Sequence, residues 1–202
     1  MFGDAAWADA DGDGDLDLAL LGDTGAGLAH GAVYRNDGDS FQQLELAGAE
    51  LIHASVDWGD YDSDGLPDLV ITGGFISPGL MEGRSLLLKQ LPGLVFQPQE
   101  TALRDVMAGR AVFGDYEGDG DLDILLTGID TVLGERIGRV LRNQDGGFVP
   151  ELVFQGALNG HLAAGDYNLD GDLDFLVLGV GPDGAGSLLF FINQQVAEPV
   201  PP

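Results

Sequence analysis

The stretch Ser55–Gly73 reads SVDWGDYDSDGLPDLVITG. Its middle, DYDSDGLPD (Asp60–Asp68), has acids at the first, third, fifth and ninth places and glycine at the sixth. A core strand or amphipathic helix would need an apolar face, and these nine residues offer none. The run LVITG that follows is apolar, too short for a helix and closed by Gly, which reads as a buried strand. The acidic nonapeptide is therefore a loop leading into a strand.

The same pattern occurs three more times, as DADGDGDLD (Asp9–Asp17), DYEGDGDLD (Asp115–Asp123) and DYNLDGDLD (Asp166–Asp174). The first acids lie 51, 55 and 51 residues apart. Before each loop stands a short apolar piece, AAWA, SVDWG, AVFG or LAAG, in which Trp7, Trp58, Phe113 and Ala164 are equivalent. After each comes LALLG, LVITG, ILLTG or FLVLG, and then a third segment, GAVYRN, RSLLLKQ, GRVLRN or SLLFFIN. Copies one to three add a fourth segment, SFQQLEL, LVFQPQ or GFVPELVF, whereas copy four runs into the Pro-rich QQVAEPVPP. A period near 50 residues made of strands alone predicts an all-β chain, a β-propeller of four blades with about four antiparallel strands each. The expected blades span about 5–48, 52–103, 108–157 and 160–195, with 196–202 as a tail. A β-sandwich is the competing architecture, but it does not account for the period.

Charge follows the repeat. The chain has 202 residues, 34 acids against 8 Lys plus Arg, and a formal charge of −26. Eighteen of those acids sit in the four loops, so the charge is organised by site and not spread as a solvated coat. A chain this acidic does not suit nucleic acid, which needs a basic patch, and the same holds for an anionic membrane surface. No apolar run approaches a membrane span. MFGDAAWADAD has neither a basic nor an apolar signal region, so no signal peptide is expected in this stretch. Cysteine is absent, which excludes disulfides and thiolate metal sites.

Carboxylates at alternate places repel unless a cation lies among them. Oxygen ligands suit a hard cation, and Ca²⁺ accepts six to eight of them in flexible geometry where Mg²⁺ requires an octahedron. The expected ligands are Asp9, Asp11, Asp13, Asp15 and Asp17; Asp60, Asp62, Asp64, Leu66 and Asp68; Asp115, Glu117, Asp119, Asp121 and Asp123; and Asp166, Asn168, Asp170, Asp172 and Asp174. Places one, three, five and nine act through side chains and place seven through its carbonyl. Up to four Ca²⁺ ions are expected, one per blade. Glycine at place six permits the sharp turn. Place twelve is Leu20, Ile71, Leu126 or Val177, never the Glu of an EF-hand, and the flanks are strands. With one loop per blade, tandem nonapeptide rolls do not fit either. No loop contains His or Cys, so zinc is disfavoured.

SVDWGDYDSDGLPDLVITG, with AVYRNDGDSF as its counterpart behind the first loop, resembles the FG-GAP/VCBS repeats of large bacterial surface proteins and of integrin α-subunit propellers. The resemblance covers about Ala5 to Asn193. It implies calcium-stabilised blades, an extracellular or cell-surface setting, and adhesion or ligand binding, with a protein or glycan as partner. Propellers of this family have seven or eight blades. Four blades leave three arrangements: part of a longer propeller, a ring of two chains, or lone closure. Completion by a second copy or by further sequence is expected over lone closure, because an open half exposes strand edges and an apolar flank.

If the loops join first and second strands, the second-to-third connections lie at the opposite end of each blade. They differ between copies, and Phe75, Ile76, Leu80, Met81, Val132 and Leu133 make two of them apolar, as a binding surface would be. The competing reading is that these residues fold back on the blades. An enzyme would need a constellation that breaks the repeat. His30, His53 and His161 occupy non-equivalent places without metal-ligand spacing, Lys89 shares its place with Arg35 and Arg142, and Tyr61, Tyr116 and Tyr167 repeat as scaffold. The expectation is a non-enzymatic module. The alternatives are a non-catalytic part of a polysaccharide-degrading lyase or hydrolase, and a structural subunit of an extracellular fibre.

Overall fold

A computed structural model describes residues 3–25, 28–77 and 80–193; the Pro-rich tail expected at 196–202 lies outside them. The described residues are all-β and form four antiparallel sheets in chain order. Blade one has β1 (Gly3–Ala8), β2 (Asp17–Asp23), β3 (Ala29–Asn36) and β4 (Phe41–Glu45). Blade two has β5 (Ile52–Gly59), β6 (Asp68–Ser77), β7 (Leu80–Leu91) and β8 (Val95–Pro98). Blade three has β9 (Val106–Gly114), β10 (Asp123–Asp130), β11 (Glu135–Gln144) and β12 (Gly147–Gln155). Blade four has β13 (Leu158–Gly165), β14 (Asp174–Val180) and β15 (Gly186–Phe191). Each strand pairs with its sequence neighbour, which is the up-and-down order of a propeller blade.

The second strands β6 and β10 are buried on both faces because blades two and three each lie between two others. Three apolar layers result. Ala19, Leu21 and Val33 meet Val56, Leu69 and Ile71 between blades one and two. Val70 and Leu87 meet Ala111, Ile124 and Leu126 between blades two and three. Leu125 and Val140 meet Leu162, Phe175 and Val177 between blades three and four. The first strands β1, β5, β9 and β13 pack side by side in that order, and the arc is not closed.

In β5, β9 and β13 the ladder slips by a bulge, with His53, Ala108 and Asn159 at φ near +50°. Such a bulge turns the innermost strand sharply, as a strand beside the axis must. None of the three is glycine, but Gly109 and Gly160 directly follow two of them, and glycine inside a strand commonly marks a bulge.

Candidate metal centre

All four acidic loops close the same turn. The place-one carboxylate accepts backbone N–H groups from across the loop: Gly12 and Gly14 on Asp9, Asp64 and Gly65 on Asp60, Asp119 and Gly120 on Asp115, and Asp170 and Gly171 on Asp166. The place-five carboxylates of Asp13, Asp64, Asp119 and Asp170 accept the N–H two residues on, from Asp15, Leu66, Asp121 and Asp172. These are Asx turns, which carboxylates form readily. The turn needs a left-handed backbone at place six, where Gly14, Gly65, Gly120 and Gly171 have φ from 87° to 99°.

Place nine does something the spacing did not suggest. Asp17, Asp68, Asp123 and Asp174 are buried at the head of the second strand. One oxygen of each accepts the place-two N–H, from Ala10, Tyr61, Tyr116 or Tyr167. The other accepts the N–H at the end of the third segment, from Asn36, Gln90, Asn143 or Asn193. Each place-nine acid thus pins its loop to the end of the third segment.

In copies one and two the structure gathers places one, three and nine. Carboxylate oxygens of Asp9, Asp11 and Asp17 lie within 4.8 Å of one another, and so do those of Asp60, Asp62 and Asp68. Copy three differs because Glu117 is one methylene longer. Its carboxyl reaches Asp123 and ion-pairs with Arg142, which also holds Glu151 at 2.9 Å. In copy four Asn168 turns both ends of its amide to Asp170, at 2.7 and 3.1 Å. At place seven, Asp15 and Asp121 are exposed, and Leu66 and Asp172 half-buried.

The electrostatics show what crowding costs. Burial pushes the Asp68 carboxyl up to about 7, and the Asp62 and Asp64 charges add to it, against the N–H bonds from Gln90 and Tyr61. Burial, with the charges of Asp13 and Asp17, raises Asp11 as well. Burial likewise raises Glu117, helped by Asp123. A cation among these oxygens would reverse each of these shifts.

The third strand supplies part of that charge, from the place that Arg35, Lys89 and Arg142 share. Lys89 ion-pairs with Asp62 and lies 2.9 Å from Asp64, while Arg142 serves loop three. In copy one Arg35 turns instead to Asp37 at 2.8 Å, and in copy four the place is Ile192.

The residues fit a divalent cation. Every donor in the Asp60–Asp68 loop is oxygen, and Asp62 Oδ1 is buried without a hydrogen-bond partner beside Asp60 and Asp68. Buried carboxylate oxygens are rarely left so, and a cation held there would supply the missing partner.

At the opposite end of the blades, the candidate binding residues divide. What reads as a Gly/Pro-rich loop in blade two is largely hairpin, because Phe75 pairs with Glu82 and Ile76 with Met81. Phe75 turns onto the core, with the Arg84 guanidinium 4.4 Å from its ring centre. Ile76, Leu80 and Met81 are exposed, as are Val132 and Leu133 in the β10–β11 turn. The N–H groups of Val132 and Leu133 are both held by the buried Asp130.

The four first strands also line one cavity of about 240 Å³, containing Asp4, His53, Ser55, Arg110, Asn159 and His161. Asp4, Ser55, Arg110 and His161 hold equivalent places, opposite Leu21, Thr72, Thr127 and Leu178 on the second strands. They are the part of the axis that breaks the repeat. Alignment on the second strand finds this row, whereas a search for histidine spacing does not. Arg110 is paired with Asp4 at 3.4 Å.

Residues 9–71 match the model of the FG-GAP-like repeat family. That span runs from the first acidic loop through the second and into β6. A comparison with curated proteins finds no match.

Proposed function

We propose that this chain, which carries an FG-GAP-like repeat, is a calcium-held propeller module of an extracellular, bacterial surface protein. Its work is binding, not catalysis. The reading is carried by one observation: the Asp60–Asp62–Asp68 cage, with a buried carboxylate oxygen lacking a partner, stands in a loop whose turn the chain builds four times. Calcium supplies positive charge and room for six to eight oxygens.

The chain's own residues hold that cage open. Place one orders the loop backbone, place nine anchors it to the third strand, and place three is left facing the ion. The loops fasten one end of each blade. The other end then presents Ile76, Leu80, Met81, Val132 and Leu133 on rigid hairpins, suited to a protein or glycan ligand. No helix of the described residues is long and apolar enough to cross a membrane.

Thermal melting with excess calcium and with chelator tests the calcium reading. A site occupied at a hundredfold over its Kd adds about 2.7 kcal/mol to stability, which is on the order of 5–10 °C in Tm for a chain of this size. Equal melting in both conditions overturns it.

A further inference from the structure

We propose that two copies of this chain close head to tail into one ring, the front of blade four of each packing on the back of blade one of the other. The inference rests on the blade architecture and is independent of which ion the loops hold.

Every inter-blade layer is built from the same two halves. The front half comes from the second- and third-strand residues that face the next blade, joined by the place-two residue. Leu87 (1 % exposed) is the front residue of β7 opposite Val70, and Val140 holds the same place opposite Leu125. In blade four that place is Phe190, opposite Leu176, and it is 42 % exposed. Leu176, Leu178 and Leu188 are exposed beside it. The back half is the mirror case. Ile71 and Leu126 are buried against the preceding blade, whereas their equivalent in blade one, Leu20, is exposed together with Trp7. The aromatic contacts split the same way. Tyr61 (5 % exposed) packs on Phe148 (7 %) of the next blade, with ring centres 5.5 Å apart. Its equivalent Tyr167 is 70 % exposed, and the equivalent of Phe148, Phe41, is 53 % exposed. Among the described residues one front and one back are thus uncovered, apolar where the internal layers are apolar.

The polar contacts repeat across the layers as well, and they fix the register. The amide side chain at the end of each third segment donates to the place-two carbonyl of the blade before it. Gln90 donates to Ala10, Asn143 to Tyr61 and Asn193 to Tyr116, each at 2.7 Å. Asn36 is the equivalent donor in blade one and, among the described residues, reaches the Leu16 carbonyl of its own blade at 3.3 Å. The equivalent acceptor in blade four is the Tyr167 carbonyl. Likewise the Trp58 indole donates to the Ala6 carbonyl of the preceding blade at 3.0 Å. Trp7 holds the same place in blade one, and the carbonyl equivalent to that of Ala6 in blade four is Ala163.

A front seats only on a back, so assembly runs head to tail and is complete when no half remains free. Two chains of four blades make eight, the upper end of the usual propeller range; three chains would exceed it.

Sedimentation equilibrium on the full chain in excess calcium tests this. The expected mass is twice that of the chain. The exposed substitutions Leu20→Glu and Leu176→Glu should each reduce it to the mass of one chain, because every contact in the ring then has one damaged half. An equimolar mixture of the two variants should recover dimers, since one of the two contacts is then intact on both sides. Circular dichroism matching the wild type checks that both variants are folded. A wild-type monomer, a mass that grows beyond two chains, or loss of the dimer in only one of the variants would overturn the proposal. The melting comparison above is read separately, so failure of the ring and failure of the calcium reading are distinguishable.

Discussion

The Asp68 carboxylate accepts the Gln90 N–H at 2.7 Å and the Tyr61 N–H at 3.2 Å, tying an acidic loop to the end of the third strand of its own blade. An acid placed to meet an ion therefore has a second task that does not need the ion. Asp68→Ala should leave both N–H groups without a partner. Buried orphan donors cost about 1–3 kcal/mol each, so a loss of roughly 2–5 kcal/mol is expected in urea unfolding. The loss should persist in chelator; a loss confined to calcium-containing buffer would assign Asp68 to the ion alone.

Lys89 brings a fixed positive charge to Asp62 and Asp64, and the same place in copy four is Ile192. Lys89→Met should destabilise the metal-free chain by up to about 1 kcal/mol, the scale of a partly exposed ion pair. Calcium should recover that loss, because the ion takes over the neutralisation. The readout is the gap in Tm between calcium and chelator, which should widen relative to wild type. An unchanged gap would show that the ammonium and the ion act on different oxygens.

Place four of the loops is also left-handed: φ is 77° at Gly12 and 72° at Gly118, but 56° at Ser63 and 61° at Leu169. Side-chain-bearing residues lose about 1–2 kcal/mol there, offset in part by the freedom glycine has when unfolded. Leu169→Gly is expected to raise stability by about 0.5–1 kcal/mol in denaturant titration, and Ser63→Gly by less. A lower midpoint for Leu169→Gly would show that the exposed leucine makes a contact worth more than the strain.

Asp130 is buried beneath the β10–β11 turn. Burial acts to raise its carboxyl, but the Leu133 N–H, the Arg104 guanidinium and the Val132 N–H outweigh it, so Asp130 lies below its ordinary value of 3.8. A carboxyl depressed on folding stabilises the protein above its unfolded pKa and loses that contribution as pH falls through the folded one. Asp130→Asn should be less stable than wild type by about 1–3 kcal/mol at neutral pH. The difference should narrow progressively below pH 3.8. Paired urea titrations across that range check it, and a difference constant with pH would contradict the ionic contribution.

The repeat was legible because each loop carries its own instructions. Acids at alternate places with glycine at the sixth specify an Asx-capped turn through contacts a few residues apart, and the following apolar run specifies a strand that is apolar on both faces. Four such units at one period leave few architectures, and the up-and-down blades follow. The exposed Ile76, Leu80 and Met81 were legible as apolar residues between strands, but not as a hairpin. The pairing of Ile76 with Met81 depends on how far the β6–β7 ladder runs, and neither strand records that alone.

What the sequence by itself determined is the local chemistry: four oxygen-rich turns, the strands around them and the sign of the ion they suit. Tertiary structure decided which of those oxygens are free. Asp62 keeps a partnerless buried oxygen, Glu117 is drawn to Asp123 and Arg142 with both its oxygens buried and without a hydrogen-bond partner, and every place-nine acid is committed to two backbone N–H groups. It also decided which apolar faces are covered, burying Leu87 and leaving Phe190 at the same place exposed. The physical reason is range. A turn is set by bonds within nine residues, whereas a side chain's partners and a sheet's cover come from strands and blades about 20 to 80 residues away, whose register only the assembled blades fix.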